Sequence, residues 1–187
     1  MRRAAQLVRS TAGFWRRSRS QKVGLFAHAE SGATAVEFAL IAAPFFALLL
    51  AIFETGLVLL MQQALQTATN KAARQIFTGQ AAAQNLTAAQ FQQLVCNNGA
   101  SLFTCSNLFV NVQTFSSFSS VSMLNPVQNG AFQPNSLSYS LGAPGSIEVV
   151  QVFYKWPVYL GPLGFNLSTM NGNIHLLVAT TAFRNEP

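Results

Sequence analysis

The chain contains no aspartate, and all five of its acidic side chains are glutamates. It has two histidines and two cysteines, and charged residues make up only 9% of the sequence, against roughly 25% in ordinary soluble domains. A Ser-His-Asp triad cannot be built without an aspartate, and no pattern links Glu148 to His175. The cysteines lack the spacing of a metal site. We therefore expect no enzyme activity, no catalytic residues, no metal and no cofactor.

Positive charge is concentrated at the N-terminus and nearly absent elsewhere. From Ala33 onward, four Lys/Arg residues are balanced by four glutamates. A neutral body does not supply the phosphate-neutralising surface of a nucleic-acid-binding protein, so no nucleic-acid partner is expected. The excess is instead typical of a membrane topology signal that keeps the N-terminus in the cytoplasm. Seven cations carry this signal, namely Arg2, Arg3, Arg9, Arg16, Arg17, Arg19 and Lys22.

A long apolar segment follows the basic region. Phe38 to Phe53 carries no charge, Glu54 interrupts the run, and apolar character resumes to Met61. The 24 residues from Phe38 to Met61 would extend about 36 Å as a helix, which exceeds the ~30 Å hydrocarbon thickness of a bilayer. We predict one membrane span over residues 33–61, with the following region in the periplasm. A cleaved secretory signal peptide and an uncut single-pass anchor remain alternatives.

The junction between the two regions reads Ser31-Gly32-Ala33-Thr34-Ala35-Val36-Glu37-Phe38. An acid within a membrane segment usually has a functional or partner-seeking role. If the chain is cut after Gly32, the new α-amine of Ala33 lies four residues from Glu37. That amine can pair with a carboxylate in the same chain or in a neighbouring one.

These residues resemble the processing site of type IV prepilins, in which a glutamate is fifth in the mature chain. The wider pattern from Glu30 to Leu40 is similar to the TadE-like pseudopilins of the tight-adherence (Flp pilus) system, and the ending Ala182-Phe183-Arg184-Asn185-Glu186-Pro187 also resembles that family. The resemblance implies cleavage by a prepilin peptidase between Gly32 and Ala33, after a leader of 32 residues, which is long for a prepilin. It further implies subunit docking through Glu37 and Phe38. The implied partners are the inner membrane, the peptidase, other pilin or pseudopilin subunits and the pilus assembly platform.

Helical periodicity continues past the apolar segment, which predicts one helix from about 34 to 78 with Gly79 as its stop. A capping box at Thr87-Ala88-Ala89-Gln90 predicts a second helix to about Cys96. The predicted domain organisation is a leader at 1–32, a membrane helix at 33–61, a periplasmic helical stem at 62–79 and a periplasmic domain at 80–187.

Three segments of alternating apolar residues predict strands at 108–115, 147–156 and 174–184. In the third, Ile174, Leu176, Val178 and Ala182 fall on one face. The Ser/Asn/Pro/Gly-rich stretch at about 116–146 indicates a long loop. A helical stem against a small antiparallel sheet is an α+β fold.

Cys96 and Cys105 both lie in the region assigned to the periplasm, where disulfides form and persist. We expect them to be bonded, and two free buried thiols are the alternative. The leading functional hypothesis is a TadE-like minor pseudopilin of Flp pilus assembly. An unprocessed membrane-anchored scaffold or binding protein is the second, and a tethered periplasmic enzyme is the third.

Overall fold

The computed structural model describes residues 30–99, 101–161 and 164–186, with side chains from residue 32 onward. The chain divides into two units, Met1–Leu48 and Leu49–Pro187. Residues 1–29 of the predicted leader lie outside the described residues. In the first unit the described residues form the beginning of one long helix, and the second unit contains the rest of that helix and all of the sheet.

Helix α1 runs without interruption from Glu30 to Phe77, which confirms the single helix predicted at 34–78. Pro44 lies inside it and supplies no N–H to the preceding turn, a loss that is tolerated in membrane helices. The helix ends where Gly79 takes the left-handed conformation at φ 72°, and the N–H of Gly79 donates to the carbonyl of Ile76 at 2.9 Å. Glycine suits this position because it has no Cβ to clash.

Two short helices follow, α2 at Gln80–Ala83 and α3 at Ala88–Asn98. The capping box predicted for α3 is present. The N–H of Gln90 donates to Thr87 Oγ1 at 3.3 Å, and the N–H of Thr87 donates to Gln90 Oε1 at 2.9 Å. The helix ends two residues beyond the predicted Cys96, which is within the usual uncertainty of helix ends.

The sheet has three antiparallel strands and an accompanying two-stranded ribbon. The main strands are β1 at Leu108–Phe115, β4 at Ile147–Pro157 and β5 at Ile174–Arg184, and the ribbon strands are β2 at Val127–Gln128 and β3 at Ala131–Phe132. The main sheet has the order β1-β4-β5, with Val112 opposite Val150 and Val152 opposite Ala179. The three predicted strands and the α+β class are confirmed.

One face of the sheet packs against α1 and α3 to form the core. Alanines of α1 and the side chains of Phe91 and Val95 of α3 contribute to this core. The sheet contributes alternate residues of each strand, as the period of two requires. The fully buried members of this core include Leu65, Ala72, Phe91, Val95, Leu108, Val112, Val150, Val152 and Ala179.

In β5 the residues aligned by the sequence pattern do not form the core face. The buried side chains are Leu177 and Ala179, whereas Val178 is exposed. Residues directly opposite each other in an antiparallel pair share a face, and Leu177 and Ala179 lie opposite Tyr154 and Val152 of the core. The register with β4 therefore selects the odd-numbered residues of β5.

The stretch 116–146 is not a plain loop, because it contains the β2-β3 ribbon and covers the second face of the sheet. Two buried amides on that face hold it. Asn111 Oδ1 accepts from the N–H of Ser138 at 2.9 Å, and Gln151 Oε1 accepts from the N–H of Leu124 at 3.1 Å. Asn111 and Gln151 are also bonded to each other at 3.1 Å. Buried polar groups need such partners, so these side chains order the covering segment.

Candidate functional site

Within the described part of the chain, the N-terminal part of α1 presents exposed apolar side chains. By length and composition, the helix from Gly32 onward could cross a membrane. Its most apolar stretch of 18 residues contains no buried residue. Phe38 is 71% exposed. Contiguous exposed apolar surface of this kind marks a membrane or protein contact. The large exposed side chains of the first unit are Val36, Phe38, Leu40, Ile41, Phe45, Phe46 and Leu48.

Glu37 and Phe38, the residues that the family resemblance implicates in docking, both lie on this exposed segment. Gly32 and Ala33 lie one turn earlier in the same helix. Residues four apart on a helix are neighbours on its surface, with roughly 5–6 Å between their Cβ atoms. The carboxylate of Glu37 has no hydrogen bond or ion pair among the described residues. Its surroundings supply no counterpart for its charge in the described part of the chain.

Glu54, the second acid of the apolar run, has the opposite environment. It is only 5% exposed. Its Oε1 accepts from the N–H of Tyr159 at 2.6 Å, and its Oε2 accepts from the N–H of Leu160 at 3.2 Å. We call this arrangement the Glu54 clasp, because it ties the turn after β4 to α1. A carboxylate that receives two backbone N–H groups is satisfied in a buried position.

Sequence reasoning did not find the role of Glu54, although two signals were present. One was a single acid within an apolar run, which must find donors if it is buried. The other was the turn chemistry of Pro157 and Gly161, because turns expose unpaired backbone N–H groups. What joins the two is tertiary packing across more than 100 residues.

Above the clasp, two glutamines of α1 bind the outer edge of β5. Gln62 Nε2 donates to the carbonyl of Val178 at 2.8 Å, and Gln66 Nε2 donates to the carbonyl of Thr180 at 3.1 Å. The N–H of Thr180 also donates to Gln66 Oε1 at 3.3 Å. An open edge strand invites pairing with another chain. The glutamines occupy the middle of this edge, so the stem and the sheet form one unit.

Cys96 and Cys105 form a disulfide in the structure, with their Cα atoms 5.6 Å apart. The bond joins the end of α3 to the turn before β1. Beside it, Phe103 is buried and packs edge-on against Tyr154 with ring centroids 5.0 Å apart. The disulfide thus anchors the segment that leads into the sheet.

Glu148 is fully buried at the other end of β4. Its Oε1 accepts from the N–H of Gly142, from Thr114 Oγ1 at 3.2 Å and from Asn185 Nδ2 at 3.4 Å. Burial raises the pKa of Glu148 above its ordinary value, and these three hydrogen bonds oppose the shift. Burial, with the nearby charge of Glu148, raises the pKa of Tyr139 to about 12. The carboxyl group holds the loop at Gly142 and the C-terminal segment against the sheet.

The structure keeps Glu148 far from His175, the remaining described histidine. Glu148 lies opposite Phe183 in the sheet, whereas His175 lies opposite Trp156. Eight residues of strand separate the two positions, which corresponds to about 26 Å. His175 Nδ1 instead contacts the carbonyl of Leu167 at 2.5 Å. The two groups do not form a common site.

These features define a class of protein: a small α+β domain carried on one long N-terminal helix whose exposed apolar part is consistent with a single membrane span. Residues 32–74, about a quarter of the chain, match the family model described as TadE-like protein, so this part of the chain is similar to that family. The matched residues all lie within α1. No curated protein and no solved structure matches the chain.

Proposed function

We propose that the protein is a minor pseudopilin of the Flp pilus, cut by a prepilin peptidase between Gly32 and Ala33 and held in the inner membrane by α1. The proposal rests on the exposed carboxylate of Glu37, which is unpaired within the described part of the chain and lies one turn from the junction at which a new amine would form.

An unpaired carboxylate in lipid is energetically unfavourable. A charged side chain at the bilayer centre costs roughly 2.5–3.5 kcal/mol on insertion scales, and less near the interface. The α-amine of Ala33 in a neighbouring subunit would remove that cost by pairing with Glu37. Phe38, which is exposed beside it, would supply apolar contact for the same neighbour. This pairing would bring subunits together through their helices.

The proposed topology places the basic leader in the cytoplasm and the sheet domain in the periplasm. The cation distribution supports this direction. The Cys96–Cys105 disulfide supports it as well, because such bonds persist in oxidising compartments. In the proposed assembly, the helix reaches the pilus platform and other pilin-like subunits within the membrane.

Processing is tested by mass spectrometry of the membrane-extracted protein from cells that contain the peptidase. We expect a mature chain that begins at Ala33, and an intact chain from a Gly32→Leu variant. Recovery of the intact wild-type chain would overturn the proposed processing. If the Gly32→Leu variant still supports piliation, the unprocessed scaffold becomes the better explanation.

Docking is tested by Glu37→Ala, which we expect to be inserted and cut but to abolish piliation. Glu186→Ala is the matched control, because Glu186 is an exposed acid on the sheet domain and its removal changes the net charge equally. The readout is the number of pili per cell by electron microscopy. Normal piliation of the Glu37→Ala strain would remove the docking role and leave processing untouched.

A further inference from the structure

The connection between β4 and β5 is an uncharged segment with exposed aromatic side chains. The described residues 158–161 and 164–173, which we call the base loop, contain no charged side chain. Within it, Tyr159 is 67% exposed, and Phe165 is exposed as well. An ordinary solvent-facing loop of this length carries several charges. Residues 75–147 are uncharged as well, so what distinguishes the base loop is the exposed Tyr159 together with its bond to Glu54 of α1.

The Glu54 clasp brings the base loop to one level of α1. Before Glu54 the helix is exposed on almost all sides, and from Glu54 onward one side of it becomes buried against the domain. The residues from 33 to 53 would extend about 32 Å as a helix, which matches the ~30 Å hydrocarbon thickness. The clasp thus lies where the proposed membrane span ends, short of the predicted boundary at residue 61.

Apolar side chains continue beyond this level on the open side of the helix. Leu57, Leu59 and Leu60 are exposed and lie just past Glu54 along the helix. Three to six residues of helix correspond to about 5–9 Å, which is the depth of the headgroup region on one side of a bilayer. Tyrosine is enriched at that depth because its ring is apolar and its hydroxyl is polar.

We propose that the base loop is a membrane-contacting surface, with Tyr159 at the level of the lipid headgroups and Glu54 fixing that depth. The occupant of the surface is the outer leaflet of the membrane that α1 crosses. The surface is uncharged, carries exposed aromatics and is bonded to Glu54 of α1. This inference rests on the membrane insertion of α1 in the proposed function.

The test uses the full chain with one introduced cysteine labelled with the fluorophore NBD and reconstituted in vesicles of phosphatidylcholine and phosphatidylglycerol. The native cysteines are bonded to each other, so the label reports one position. Tyr159→Cys is the test site. Phe118→Cys is the matched control, because Phe118 is 61% exposed but follows β1 at the opposite end of the sheet, about 33 Å away along the strands. Leu48→Cys marks the helix itself.

At the Tyr159 site we expect at least threefold stronger quenching by spin-labelled lipid, and at least threefold weaker quenching by aqueous iodide, than at the Phe118 site. If the Tyr159 and Phe118 sites are quenched equally while the Leu48 site is strongly quenched by lipid, the base loop does not contact the membrane. The proposed membrane insertion of α1 would still stand. Absence of lipid quenching at Leu48 would overturn both this inference and the proposed insertion.

Two further outcomes separate the lipid from a protein partner and test the clasp. If the Tyr159 site is shielded from iodide but not quenched by lipid, and dilution of the protein in the vesicles restores iodide access, a second copy covers the surface and the inference is wrong. Adding Glu54→Ala should move the Tyr159 site at least halfway toward the Phe118 values. No movement would overturn the role of Glu54 in fixing the depth.

Discussion

Replacing Glu54 by alanine tests whether a buried carboxylate ties the domain to its stem. The side chain accepts from two backbone N–H groups, those of Tyr159 and Leu160. Hydrogen bonds to a charged group contribute about 1.5–3 kcal/mol each. Because Tyr159 is exposed, water can partly replace the lost acceptor after the loop opens. We therefore expect the free energy of unfolding of the second unit to fall by roughly 2–4 kcal/mol, below the simple sum.

The assay is urea unfolding of the full chain in detergent micelles, followed by Trp156 fluorescence in a Trp15→Phe background. Glu37→Ala is the matched control, since it removes the same chemical group from the same helix at an exposed position. We expect the control to change the unfolding free energy by less than about 0.5 kcal/mol. Glu54→Gln keeps one acceptor oxygen, so its effect should lie between the two.

A Glu54→Ala protein as stable as the Glu37→Ala protein would refute the reasoning. That result would mean that water replaces the carboxylate as acceptor for the two N–H groups with no loss in the free energy of unfolding. The clasp would then not stabilise the turn. A fall of stability shared equally by the control would point to the loss of helix charge in micelles. Only a difference between the two variants supports the structural role of Glu54.

Three further predictions concern the sheet domain. Burial raises the folded-state pKa of Glu148 above its ordinary 4.5, so the folded chain binds the proton more tightly than the unfolded chain does. The free energy of unfolding should therefore fall as pH rises from about 4.5 through the raised pKa. Urea unfolding at several pH values should show a smaller pH dependence for Glu148→Gln. Tyr139→Phe should leave thermal stability unchanged or slightly raised, because its buried hydroxyl has no hydrogen-bond partner among the described residues. Reduction of the Cys96–Cys105 bond should lower the unfolding free energy by roughly 2–3 kcal/mol on the chain-entropy model, measured by urea unfolding with and without reductant.

Local patterns predicted most of the elements. The long helix, the capping box at Thr87 and the three main strands all depend on the spacing of residues within one segment, and the structure confirms them. These signals arise from the periods of 3.6 and 2 and from short-range hydrogen bonds. They are visible in one sequence because no distant part of the chain is needed to produce them.

The face of β5 could not be predicted in this way because both faces of the strand carry apolar residues. Leu176 and Val178 lie on one side, and Leu177 and Ala179 on the other. Alternation alone does not decide between two apolar faces. The register with β4 decides, and register is a property of the assembled sheet.

The stretch 116–146 shows a second limit. It has no apolar periodicity, so its composition indicated a loop. Part of its order comes from the amides of Asn111 and Gln151, which lie on strands outside it and bond its backbone. Each amide lies between two valines of its strand, and a buried amide must be satisfied by something nearby. The sequence therefore indicates that each amide needs a hydrogen-bond partner, but it does not indicate which residue supplies it.

The two glutamates of α1 show why residue type alone does not assign a role in the membrane segment. Both acids lie on α1, Glu37 just before the apolar run and Glu54 within it. Glu54 has its donors within the chain, so pairing with a second subunit would require the clasp to open. Glu37 has no donor within the described chain, so a partner outside it costs no internal bond. If one of the two recruits another subunit, the energetics therefore favour Glu37, and the difference comes from the turn after β4 rather than from either carboxylate.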